Sequence, residues 1–182
     1  MAGVVDVARF ILSARRRKNL RTSPDMLQGL LYICQGWMLV ARDCPLFPEG
    51  ILADKRGPIV REIETQMNSL RRECLVSEGD GDEAVGLTTV ERMLVERVLR
   101  IYEDYSGEKP SLGESWSGIE TVQIISHDSI LYYFSQLDAD PGVEKSMPRP
   151  YLADISVRSF ISENDYEQIE EYMRLAYGVR AF

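Results

Sequence analysis

Histidine is nearly absent from this chain: its 182 residues include one, His127. Cysteine is also sparse, with Cys34, Cys44 and Cys74 and no Cys-x-x-Cys pair. Zinc sites need Cys and His at recognisable spacings, so no metal centre of that kind is expected. An odd, scattered set of thiols points to reduced cysteines and not to a disulfide framework. No apolar run reaches the roughly 18 residues that a membrane-spanning helix needs. The N-terminus lacks the charged-then-apolar layout of a secretory leader, so a cytoplasmic location is expected. The phosphate-cradling patterns GxxxxGK[ST] and strand-linked GxGxxG are missing, as is the nucleophile-elbow GxSxG. Cations are in deficit: 21 Lys and Arg stand against 29 Asp and Glu, a formal net charge of −8. That balance disfavours non-specific binding to nucleic acid and docking on anionic membranes, both of which rest on neutralising phosphates.

Apolar residues are plentiful. The 45% hydrophobic content supplies a core, and 27% charged residues supply a surface. The length suits one domain over residues 1–182. The pattern predicts a mainly α fold of about six helices with at most a small sheet or hairpin. Val4, Val7, Ala8, Ile11 and Leu12 give the first helix, residues 4–14. A basic run follows, Arg15-Arg16-Arg17-Lys18, with Arg21 close behind. Thr22 or Ser23 caps the next helix, Pro24 occupies its first position, and the helix runs to residue 42. Its apolar face is Leu27, Leu30, Leu31, Cys34, Trp37, Met38 and Ala41, and Gly36 lets another backbone approach. Pro45 and Pro48 end it, with Leu46 and Phe47 turned inward.

Residues 51–56 read as extended. Gly57-Pro58 reads as a turn, with Pro58 able to open a helix over residues 60–72 that buries Ile63, Met67 and Leu70. Residues 77–86 form a Gly-rich acidic loop. Thr88 and Glu91 make a capping box for a helix to about residue 105, with Val90, Leu94, Val98, Ile101 and Tyr105 inward. Ser117 and Glu120 repeat that signature and open a helix over 118–127. Prolines 141, 148 and 150 mark 138–151 as a loop. A short strand over 152–157 and a last helix over 162–176 complete the reading.

The stretch from residue 23 to 60, SPDMLQGLLYICQGWMLVARDCPLFPEGILADKRGPIV, resembles the core of the Panacea domain, also called the SocA-like antitoxin domain. The matching residues are Leu27, Gln28, Leu30, Leu31, Tyr32, Gln35, Gly36, Trp37, Pro45, Leu46, Phe47, Glu49, Ile51, Gly57, Pro58 and Val60. The first helix and the segment 118–127, GIETVQIISH, also resemble that family, so the match spans about residues 4–127. The chain departs from the pattern in three places. Asp54-Lys55-Arg56 replaces the usual aromatic before Gly-Pro, Ser126 stands where Thr is usual, and DSILYYF over 128–134 replaces Pro-Trp. The resemblance implies a non-enzymatic antitoxin, without cofactor, that neutralises a toxin encoded by a neighbouring gene through direct protein contact. Its second reading is a proteolytic adaptor that delivers a bound partner to a protease, and its third a phage or mobile-element protein of the same fold that binds a host factor. Self-association stays open.

Candidate chemistry is thin. Ser126, Asp128 and Ser129 flank His127, but adjacent residues on one helix point in different directions and do not form a triad. His127 reads instead as a residue closing the last turn of the 118–127 helix, where positive charge is favoured. Asp80, Asp82 and Glu83 lack the spacing of a calcium loop. The motif residues Gln28, Tyr32, Gln35, Gly36, Trp37, Pro45, Leu46, Phe47, Gly57, Pro58 and His127 read mostly as scaffold. Tyr132, Tyr133 and Phe134 are three consecutive aromatics that cannot all face one core, so they are candidate partner-binding residues. Arg15, Arg16 and Arg17 are the other candidates. They read as a solvated helix end able to dock an acidic patch on a protein partner.

Overall fold

The computed structural model describes residues 2–54, 57–76, 86–103, 123–139 and 148–155. Over these it is mainly α: α1 (Val4–Arg17), α2 (Pro24–Arg42), α3 (Arg61–Val76), α4 (Thr89–Ile101) and α5 (His127–Ala139), with strands β1 (Ile51–Asp54), β2 (Gly57–Ile59) and β3 (Gln123–Ile125). Helix α2 is the axis on which the rest is built. It packs against α1, α3, α4, α5 and β2. One apolar face was expected on it, but every residue from Leu27 to Ala41 is buried. A helix apolar nearly all round is covered from all sides, and the surrounding elements do that here. Ser23 caps α2 by accepting the Met26 N–H through its hydroxyl, Pro24 occupies the first turn, and Asp43 ends the helix in the left-handed region.

Helix α1 continues past the expected residue 14 to Arg17, and Gly3 at its start offers no side-chain cap. Glu49, distant in sequence, supplies one: its carboxylate accepts the Val4 N–H at 3.1 Å. A carboxylate at a helix N-terminus both satisfies a free donor and offsets the helix dipole. In α4 the Thr88–Glu91 capping box forms as expected. The helix ends at Ile101 with Tyr102 as its C-cap, whose N–H still reaches the Val98 carbonyl and whose hydroxyl donates to Pro148 O at 2.8 Å. Its buried stripe is Leu94, Val95, Val98 and Leu99, so Ile101 faces outward, contrary to the expected phase. Tyr105 lies outside the described residues.

Four segments differ from expectation. Gly57–Ile59 is a strand, not a turn opening α3. It pairs antiparallel with β1 in the register Leu52↔Ile59, Ala53↔Pro58 and Asp54↔Gly57. Pro58 has no N–H to give a ladder, and the sheet order β2-β1-β3 places it on an edge strand, where none is needed. Gly57 takes φ 119°, which a residue with a β-carbon resists. Residues 123–125, expected within a helix, form β3, paired with β1 as Ile51↔Ile125, Leu52↔Ile124 and Ala53↔Gln123. A short apolar run satisfies either periodicity, and the β1 edge decides it. Helix α5 then covers residues 128–137, to which no element was assigned, and runs into the first two residues of the expected 138–151 loop. Its buried Ile130, Phe134 and Leu137 recur at helical spacing. Leu152 and the following residues form a turn, closed by the Ile155 N–H to Leu152 O at 3.0 Å, and not a strand. The rest of the expected 118–127 helix, the 77–85 loop, residues 140–147 and the 162–176 helix lie outside the described residues.

Candidate functional site

The motif residues gather where α2 meets the hairpin and α5, and two buried glutamines organise that junction. Gln28 and Gln35 are seven residues apart, two turns along one side of α2. The Gln28 amide pairs with the backbone of Val60 as a neighbouring strand would. Its Nε2 donates to Val60 O at 3.1 Å and its Oε1 accepts the Val60 N–H at 2.8 Å. Gln35 does the same for the segment after α2. Its Oε1 accepts the N–H groups of Leu46 at 2.8 Å and Phe47 at 3.3 Å, and its Nε2 donates to Phe47 O at 3.1 Å. Buried backbone polar groups must be paired, and irregular segments have no ladder to pair with. The two amides supply the missing partners.

His127 joins this network. Its Nε2 lies 3.3 Å from Gln35 Nε2. Since Gln35 Oε1 is committed to two backbone donors, the facing group is the amide NH₂. His127 therefore accepts through Nε2 and carries its proton on Nδ1. The residue sits at the first position of α5 and not at the end of a helix, which corrects the expected placement. Ser126 precedes it as the cap, its hydroxyl accepting the Ser129 N–H at 3.1 Å and lying 2.9 Å from the Ser129 hydroxyl. Ser126 and Ser129 thus engage each other and the helix start, while His127 engages Gln35; the described contacts bring no nucleophile to the imidazole.

Below the network, Tyr32, Trp37 and Phe134 are fully buried. Phe134 meets Tyr32 and Trp37 edge-on, with ring centroids 5.4 and 5.3 Å apart. The close approach expected at Gly36 is made by this ring and not by backbone: a β-carbon there would lie 2.5 Å from Phe134 Cζ and nearer still to Cδ2 and Cε2. Pro45 lies in the segment that Gln35 holds, and Leu46 and Phe47 are completely buried.

The three aromatics on α5 separate by burial. Phe134 is core and is withdrawn as a partner-binding residue. Tyr133 is half-buried with its ring 5.3 Å from that of Phe134. Tyr132 is 69% exposed, on the face that also carries Asp128, Ser129 and Gln136. On β3, Ile124 is exposed too, paired with the half-buried Leu52 on the outer side of the sheet.

The basic run also divides. Arg16 and Arg17 are exposed, but Arg15 is buried. Its guanidinium donates to Thr22 Oγ1 at 3.1 Å, Glu103 O at 3.2 Å and Arg21 O at 3.4 Å. Burial lowers the pKa of this guanidinium and the nearby Glu103 charge opposes the shift. Arg15 is thus a staple between α1, the α1–α2 connection and the end of α4, which the basic run concealed. The signal was present: Arg15 follows Val4, Ala8 and Ile11 on the apolar stripe at helical spacing. Cys34 is buried, which raises its thiol pKa far above the usual value, and Cys44 is exposed. Among the described residues no cluster of His, Cys, Asp and Glu could hold a metal ion, and no helix is long and apolar enough to cross a membrane.

No protein-family model, curated protein or solved structure matches the chain. The Panacea-type resemblance therefore rests on the residues quoted above.

Proposed function

We propose that this chain is a Panacea-type binding protein of the cytoplasm, without catalytic activity, that neutralises a toxin by covering its working surface. One observation carries the reading. The motif residues on α2 are consumed by scaffold duties, with Gln28 and Gln35 holding backbone, Gly36 admitting Phe134, and Trp37 filling the core. That leaves the outer face of α5, where the chain departs from the family pattern, as the surface for a particular partner. Tyr132 is its anchor, since an exposed aromatic buries much area on docking at little entropy cost. The net charge of −8 suits a basic partner.

The test is growth of cells expressing the product of the adjacent open reading frame, with and without this chain, followed by co-purification. Rescue of growth together with a stable complex is the expected result, and Tyr132→Ala should abolish both. A harmless neighbour, or no complex, would sink the antitoxin reading. The departures at 54–56 and 128–134 would then favour a binder of a host factor. Rescue that requires an active cellular protease would favour the adaptor.

A further inference from the structure

The corner where α1 and α4 both end collects exposed cations. Arg16 and Arg17 finish α1, Lys18 caps it, Arg21 lies in the connection to α2, and Arg100 stands in the last turn of α4. Helix C-termini present free carbonyls and favour positive charge, which explains why cations are tolerated there. It does not explain their number. Among the described residues the carboxylate paired in this corner is that of Glu103, which Lys18 Nζ holds at 3.2 Å. The side chains of Arg17 and Arg21 have no partner among the described residues. In a chain of net charge −8 such a run of exposed cations is set against the overall balance.

Arg15 makes the corner rigid. Its three hydrogen bonds tie the Arg21 carbonyl and Thr22 to α1, and the Glu103 carbonyl of the α4 end to both. The exposed guanidiniums are thus hung on a backbone already ordered before any ligand arrives, which reduces the entropy lost on binding.

We propose that this corner is a docking site for a short acidic segment of a protein partner, whose carboxylates are taken by the guanidinium forks of Arg17 and Arg21. Planar forks match carboxylates in a bidentate fashion. Protein is favoured over nucleic acid by the charge of the whole chain. A polynucleotide repeats its phosphates along the strand and is repelled by a protein of net charge −8, whereas a short acidic segment carries few charges beyond those the cations take. The proposal deepens the binding-protein reading and rests on it. It adds an orienting element: a basic partner drawn in by the overall charge is turned so that its acidic segment meets this corner.

The experiment uses the full chain and a fluorescein-labelled oligoglutamate peptide, with a single-stranded oligonucleotide of equal charge as competitor probe. Anisotropy at low salt should show saturable peptide binding that weakens as salt is added. Arg17→Glu and Arg21→Glu should each weaken it by about tenfold, as expected when an attractive charge contact becomes repulsive. Arg61→Glu, the same charge change at an exposed site on α3, should leave it nearly unchanged. Absence of binding, equal loss in Arg61→Glu, or tighter binding of the oligonucleotide would each overturn the proposal. Peptide binding that persists while growth rescue fails would count against the antitoxin reading and leave the corner intact.

Discussion

Gly36→Ala isolates the α2–α5 contact. Alanine is favoured over glycine inside a helix by about 1 kcal/mol, so local propensity alone predicts a gain in stability. The tertiary structure predicts the opposite. The new methyl would meet three carbons of the Phe134 ring at or within 2.5 Å, where real contacts do not occur. The ring has little room to yield, being fully buried and held edge-on by Tyr32 on one side and Trp37 on the other. Overpacking of this kind costs about 1–3 kcal/mol, and so severe an overlap belongs at the upper end. Subtracting the propensity gain leaves a net loss of about 2 kcal/mol, or roughly 4–8 °C in Tm for a chain of this size. Phe134→Ala alone should cost about 3–5 kcal/mol through lost burial and cavity formation. In the double variant the alanine methyl enters the space left by the ring. The combined loss should therefore be smaller than the sum of the singles by about 2–3 kcal/mol. Urea denaturation of the four proteins gives the cycle directly. A stabilised Gly36→Ala, or strictly additive losses, would refute the ring contact as the reason for the glycine.

Gln35→Leu keeps volume but leaves Leu46 N–H, Phe47 N–H and Phe47 C=O without their amide; a loss of about 3–5 kcal/mol is expected by chemical denaturation. With Cys74 replaced by serine, an aromatic disulfide reagent should label Cys44 at once and Cys34 only on unfolding; rapid labelling of both would contradict the burial of Cys34. The hydrogen bond from Arg97 holds the exposed Asp154 carboxyl below its ordinary 3.8, so the folded value is depressed. Its contribution is present above the unfolded value and fades as pH falls through the folded one. Asp154→Asn should therefore lower Tm slightly at neutral pH, and the gap to the parent should close in acid. Tyr132→Ala should leave Tm nearly unchanged, whereas Tyr133→Ala should lower it measurably because that ring packs against Phe134.

The sequence by itself determined the elements whose signals are local. The Ser23 cap, Pro24 and the prolines after residue 42 delimit α2 in any surroundings. The Thr88–Glu91 box opens α4, because both of its hydrogen bonds close within one turn. The apolar spacings of α1 and α3 likewise placed Ile11, Ile63, Met67 and Leu70 inside. Other features depend on residues far apart in the chain, and only the tertiary structure decided them. Whether residues 123–125 extend or coil depends on the free edge of β1. Whether Pro58 opens a helix or ends a sheet depends on β2 being the edge strand. Arg15 falls on the apolar stripe of α1, which marks it apart from Arg16 and Arg17, but its partner carbonyl at the α4 end is supplied only by the fold. Gln28 and Gln35 read as motif letters until the backbone of Val60 and Phe47 arrives to claim them. The physical division is one of range: caps and turns are satisfied within a few residues, whereas burial and backbone pairing require partners that only folding brings together.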